Sequence, residues 1–168
     1  HLHKNEIAAV IIEPIEFEEP KDGFLQKLKN LCHNNDALLI YDEVVTGFRF
    51  AIGGAQEYFN VIPDICAFGK GMASGYPLSA VVGRREVFEK VKNDIFISAT
   101  FGGEMLSLAA CITTINILKE EPVHKRIWEV GKKIKDGFND IANRQGSHIR
   151  CIGLPPRLGF VFNTIKGK

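Results

Sequence analysis

The chain of 168 residues carries 21 basic and 20 acidic side chains, a net charge of +1, and is 45% hydrophobic and 24% charged. That makeup suits one globular unit with its own core. It offers neither the basic stripe that nucleic acid needs nor an apolar run approaching the roughly 20 residues that span a bilayer, so the expected partner is a small molecule, without nucleic acid or membrane.

Four cysteines, Cys32, Cys66, Cys111 and Cys151, lie tens of residues apart and mostly in apolar surroundings. They read as reduced thiols, and the cytoplasm is the expected compartment. His1 and His3 have a spacing that a metal can use, but two histidines at a chain terminus read as solvated. The opening "HLHKNEIAAVIIEPI" enters a strand within a few residues and "LGFVFNTIKGK" stops just after another, as in a segment cut from a longer chain.

In chain order, Ile7 to Ile12 is a continuous β-branched and apolar run, the pattern of a strand buried on both faces. "DGFLQKLKNLCHNND" then sets Phe24, Leu25, Leu28, Leu31 and Cys32 on one helical stripe, with Asp22 as its candidate N-cap. Ala37 to Tyr41 follows as a second buried strand, so the unit is βαβ. Such crossovers are right-handed and make their strands parallel, so the class is α/β.

Strands are expected next at Ile65 to Phe68 and Leu78 to Val82, and the nine residues between them are too few for a parallel crossover; as neighbours they must be antiparallel. Met105 to Leu118 reads as a helix that is apolar nearly all round and therefore buried. Pro122 to Arg144 reads as a charged helix with an apolar stripe of Ile127, Val130, Ile134, Phe138 and Ile141, and with Pro122 in its first turn. His148 to Ile152 and Leu158 to Asn163 close the chain as two strands around a Gly/Pro turn, suited to the start of a separate small domain.

Ligands in parallel α/β sheets collect at the carboxyl ends of the strands. Ile12 leads there into Glu13-Pro14, Tyr41 into Asp42-Glu43, and Phe68 into Gly69-Lys70-Gly71. Two readings stand: a constellation of acids and a lysine facing one crevice, or a salt bridge at a sheet edge. A lysine can form a Schiff base with a carbonyl once its pKa is lowered, and a pyridoxal ring needs such a lysine together with an acid opposite its ring nitrogen. Lys70 and Asp42 can fill these two roles, with Gly69 and Gly71 letting backbone approach a flat ligand. "GKGMASG" is not a phosphate-binding P-loop, and no G-x-G-x-x-G follows the first strand, so nucleotide-binding readings have no motif behind them.

Taken together, "LLIYDEVVTGFRFAIGGAQEYFNVIPDICAFGKGMASGYPLSAVVGRREVFE" resembles the class III aminotransferases dependent on pyridoxal 5'-phosphate, and most of all their glutamate-1-semialdehyde aminomutase-like branch. The D-E-x-x-T-G-F-R segment, the P-D-x-x-x-x-G-K element and "ATFGGE" stand in the family's order, from about Ala8 to near Phe138. The resemblance implies a mostly parallel sheet with helices on both faces, as in the large domain of type I pyridoxal phosphate transferases, over residues 1–121. A linking helix and the start of a small α+β domain would follow over 122–168.

It further implies that Lys70 forms the Schiff base with the cofactor and moves protons, and that Asp42 pairs with the pyridinium nitrogen. Val44 would pack on a face of the ring, and Thr100 would reach the cofactor phosphate of the neighbouring subunit in a homodimer. Bare sequence also allows Val44 as a core valine and Thr100 as a helix cap. Val45 stands where many members carry glutamine, so their hydrogen bond to the ring hydroxyl is not expected here. Glu13 matches a glutamate near the family's site, without an assigned role.

The upstream phosphate loop and stacking aromatic of the family have no counterpart in the sequence. The expected activity is the movement of an amino group between a small-molecule donor and a carbonyl acceptor, as a transaminase or a mutase; the alternative is an inactive truncated chain serving as a structural or interaction module.

Overall fold

The computed structural model describes residues 6–96 and 98–162. His1, His3 and the end of the last expected strand at Asn163 lie outside them. Four strands, β1 (Ala9–Ile12), β2 (Leu38–Glu43), β3 (Ile65–Phe68) and β4 (Ala80–Gly83), form one sheet in the order β1-β2-β3-β4. β1, β2 and β3 are mutually parallel, and β4 runs antiparallel to β3 with Ala67 opposite Val81. The short link between β3 and β4 dictates that reversal.

Helix α1 (Phe24–His33) covers one face of the sheet. Leu25 and Cys32 of the helix pack with Leu39, Tyr41 and Cys66, which alternate with residues of the opposite face, as a strand requires. Phe24 and Leu31, placed by the periodicity on the same stripe, are exposed instead. Asp22 does not cap α1. Gly23 holds that position at φ 71 with no side-chain cap, and the chain enters the helix through the Phe24 amide bonded to the Lys21 carbonyl at 2.9 Å. The expectation of a first strand buried on both faces also fails: β1 is an edge strand and Ile11, on the face away from α1, is 63% exposed.

Beyond the sheet come α2 (Ala55–Tyr58), α3 (Arg85–Val91), α4 (Met105–Glu120) and α5 (Val123–Arg144), then a hairpin of β5 (Ile149–Leu154) and β6 (Arg157–Phe162). Helix α4 is apolar all round as read, yet it is not buried: only Ser107 and Leu118 are enclosed, while Met105 and Leu106 are 76% and 68% exposed. Pro122 precedes α5 as its N-cap.

The packed face of α5 lies one residue round from the predicted stripe. Val130, Ile134 and Ile141 are exposed, whereas Gly131 and Ala142 are buried. Close approach of the hairpin explains the rotation, since a β-carbon on Gly131 would lie 2.1 Å from the Pro155 carbonyl oxygen. No helix among the described residues is long and apolar enough to cross a membrane.

The amino ends of the strands are fastened by Asp64, which is wholly buried. Its carboxylate accepts from the Leu39 amide at 2.8 Å, from His33 Nε2 at 2.9 Å and from an Arg84 guanidinium nitrogen at 2.9 Å. Burial alone raises its pKa, but the Leu39, His33 and Arg84 hydrogen bonds outweigh it and hold the carboxyl below its ordinary value. A carboxylate depressed in the folded state contributes stability above its unfolded pKa and loses it as pH falls through the folded one. Asp64→Asn is therefore expected to cost about 1–3 kcal/mol near neutral pH and to flatten the loss of stability below about pH 4, as measured by denaturant unfolding across a pH series.

Candidate active site

The parallel strands bring Asp42 and Lys70 to the same edge of the sheet. Asp42 pairs in register with Ala67 of β3, three residues before Lys70, and its side chain lies on the face opposite α1. It is half-buried, and its Oδ1 accepts from the Val44 amide at 3.0 Å, which turns the chain back at the strand end. Lys70 begins a 3-10 turn over Lys70–Met72, is exposed, and has φ 40. A non-glycine residue in the left-handed region is uncommon and persists only where its surroundings over-determine it.

Those surroundings come from the loop after Asp42. A β-carbon at Gly69 would meet Val44 Cγ1 at 3.4 Å, and one at Gly71 would meet the Gly47 carbonyl oxygen at 3.4 Å. The loop therefore lies within van der Waals reach of a β-carbon at either glycine flanking Lys70. Gly47 itself packs on the Phe68 ring so closely that a β-carbon there would lie 2.5 Å from it.

The loop is held from below by Glu43, a residue that the sequence marked only as the second acid of its pair. Glu43 is wholly buried on the α1 side. Its Oε2 accepts from Thr46 Oγ1 at 2.9 Å and the Ala55 amide at 2.5 Å, and its Oε1 from the Gln56 amide and Nε2 at 3.0 and 3.1 Å. Its backbone carbonyl accepts from the Gly47 amide at 2.8 Å. The signal in the sequence was the invitation to a turn in "DEVVTG" together with the glycine pair at Gly53-Gly54: Gly54 has φ 81, and a β-carbon there would fall 2.3 Å from Glu43 Oε2.

Behind Glu43, Gln56 Nε2 also donates to Cys66 Sγ at 3.4 Å. Burial, and the Glu43 charge after it, push that thiol up to about 12, so it is inert as a nucleophile at neutral pH. The buried Tyr41 hydroxyl has no partner among the described residues, and its pKa is raised by burial and then by Glu43.

The strand-end acids do not form a salt bridge with the lysine. Glu13 pairs instead with Arg157 of β6, which also donates to the Ile15 carbonyl at 2.7 Å. Lys70 enters no ion pair among the described residues. Val44 is neither a plain core valine nor free, since it lies half-buried against Gly69. Thr100 sits in an exposed turn before α4 and does not cap the helix; the Glu104 carboxylate does so, accepting from the Leu106 and Ser107 amides at 2.7 and 2.8 Å.

Fold and site together define a mostly parallel α/β sheet that presents an acid and a glycine-flanked lysine at its carboxyl edge. The model of the aminotransferase class III family matches residues 1–156, and the chain belongs to that family. It is 45% identical over 148 residues to the glutamate-1-semialdehyde 2,1-aminomutase of Alkaliphilus oremlandii, a match covering 84% of this chain and 35% of that protein. The enzyme of the same name from Methanocaldococcus jannaschii is 38% identical over 167 residues, 96% of this chain and 39% of its own.

Among solved structures, the pyridoxal phosphate internal-aldimine form of the FumI protein of Sphingopyxis sp. MTA144 superposes with a TM-score of 0.86 at 28% identity, covering 95% of this chain and 40% of that one. The chain thus spans well under half the length of the relatives it matches.

Gly54→Ala forces a β-carbon onto the Glu43 carboxylate at a left-handed position. It is expected to cost about 2–4 kcal/mol, read as a fall in the denaturant midpoint.

Proposed function

We propose that this chain carries the lysine-bearing part of the site of a pyridoxal 5'-phosphate enzyme that moves an amino group. The observation that supports it most is Lys70, exposed at φ 40 between two glycines that are packed by the loop following Asp42. The residues present suit the cofactor: the glycines leave room that a side chain would fill, an amine with no ion pair among the described residues is presented beside them, and a half-buried carboxylate stands on the neighbouring strand end.

When bound, pyridoxal phosphate supplies an electron sink for the carbon that gives up or receives the amino group. Lys70 Nζ would hold the cofactor and carry a proton to and from that carbon. Asp42 would keep a proton on the ring nitrogen facing it, since an ionised carboxylate favours a protonated partner. Val44 would shield one face of the ring from water. The substrates would be a small amino donor and a carbonyl acceptor, with the amino group passing to a second molecule or to a neighbouring carbon of the same one; the names of the curated relatives favour the latter.

The same reading assigns residues 1–121 to a large cofactor-binding domain and 122–168 to the linking helix and start of a small domain. It also assembles the protein as a homodimer in which Thr100 reaches the cofactor phosphate of the neighbouring subunit. The exposure of Thr100 is compatible with that use. Four free thiols, three of them buried, support a reducing compartment such as the cytoplasm.

Titration of the chain with pyridoxal 5'-phosphate, followed by borohydride reduction and peptide mapping, is expected to give a visible absorbance band and a label on Lys70. Lys70→Ala is expected to abolish both while leaving the circular dichroism of the fold unchanged. A label retained in that variant, or scattered over surface lysines, would sink the assignment.

A further inference from the structure

We infer that Glu43 is the positioning residue of this site: its buried carboxylate fixes the loop that sets the backbone of Lys70. The inference rests on the reading of Lys70 as the cofactor lysine.

A buried carboxylate is costly unless it is paired or fully hydrogen-bonded. Glu43 has no cationic partner among the described residues and is served by one hydroxyl, two backbone amides and one side-chain amide. Such an arrangement adds little net stability over an apolar side chain of the same size, but it specifies geometry, because each donor must reach one carboxylate at a fixed angle.

The donors come from Thr46 inside the loop and from Ala55 and Gln56 at its far end, so the carboxylate ties the loop over residues 44–54 back to the strand end. What the tied loop faces is the backbone on both sides of Lys70: a β-carbon at Gly69 would lie 3.4 Å from Val44 Cγ1, and one at Gly71 3.4 Å from the Gly47 carbonyl oxygen. Glu43 itself points to the α1 side of the sheet while Asp42 points to the other, so Glu43 cannot touch a cofactor there and acts through Val44 and Gly47.

The test is Glu43→Gln in the intact protein. This variant keeps the size of the side chain but replaces one carboxylate oxygen with a donor that faces other donors. Three readouts are taken: thermal midpoint, affinity for pyridoxal 5'-phosphate by absorbance titration, and the induced circular dichroism of the bound cofactor in the visible range, which reports a fixed ring orientation. Affinity is expected to fall about tenfold or more and the induced band to weaken. Asp64→Asn, which loosens the opposite end of the same sheet, serves as the comparison and is expected to lower the thermal midpoint without changing either cofactor readout.

Gln56→Ala removes only one of the four donors and is expected to show the same losses in smaller degree, which keeps the test open should Glu43→Gln not fold. If the Glu43 and Gln56 variants bind as tightly as the parent with an unchanged induced band, or if Asp64→Asn loses as much affinity, Glu43 is structural only and the inference is overturned. A parent protein that takes up no cofactor at Lys70 overturns the functional reading itself, and this inference with it.

Discussion

A carboxylate with no cationic partner among the described residues, shut away from water, governs the carboxyl edge of this sheet. Glu43 survives there because the chain folds back over it and brings four donors within hydrogen-bonding distance. The fold-back needs Gly54 in a left-handed conformation and leaves no room for a β-carbon at Gly54 or Gly47. The loop then packs on Phe68, Gly69 and Gly71, and the unusual backbone of Lys70 follows. The order of causes thus runs from one buried charge to a loop and from the loop to the lysine.

The two ends of the sheet handle their acids differently. At the amino ends, Asp64 is met by the half-exposed His33 imidazole and Arg84 guanidinium as well as by a backbone amide. At the carboxyl ends, Glu43 is satisfied by neutral donors and Glu13 by Arg157. Neither acid competes for Lys70. An amine meant to react with a carbonyl has to be released from its proton, and an adjacent unsatisfied carboxylate would hold that proton on. Glu43, met by one hydroxyl, two backbone amides and one side-chain amide, makes no ion pair with Lys70.

Much of this was legible because it depends on local chemistry. The period-2 and helical runs set the order of elements, and the short link after Phe68 forced β4 to run backwards. The glycine-flanked Lys70 and the strand-end Asp42 stood out by residue type. What was not legible depends on approach between distant segments. The face of α5 that packs was decided by Gly131 meeting Pro155, and nothing in the spacing of Ile127, Val130 and Ile134 contains that contact. The exposure of α4 was misread because hydropathy shows only that a surface is apolar, not what covers it. Asp22 lost its capping role to Gly23, whose left-handed turn redirects the chain before a side chain can reach the helix amides. Glu43 was hidden for another reason: two of its four donors are backbone amides, which no residue type announces.

The loop that Glu43 holds has a second side, and the asymmetry between the two sides decides how it responds to strain. Away from Lys70, His124 Nε2 donates to the Phe48 carbonyl at 3.2 Å, Trp128 Nε1 to the Phe50 carbonyl at 3.2 Å, and the Arg49 guanidinium to the Pro156 carbonyl at 3.0 and 2.6 Å. These bonds lash the loop to α5 and the β5–β6 hairpin. They are only partly buried, so losing one exchanges it for water at a net cost of about 1 kcal/mol each. The bonds to Glu43 cannot be exchanged in that way, because breaking them strands a buried charge. If α5 and the hairpin shift, the outer bonds therefore yield first and the inner ones keep Val44 and Gly47 against the glycines beside Lys70. The lysine is coupled strongly to its own strand end and weakly to the C-terminal segment, which lets that segment adjust without disturbing the residue on which the chemistry would depend.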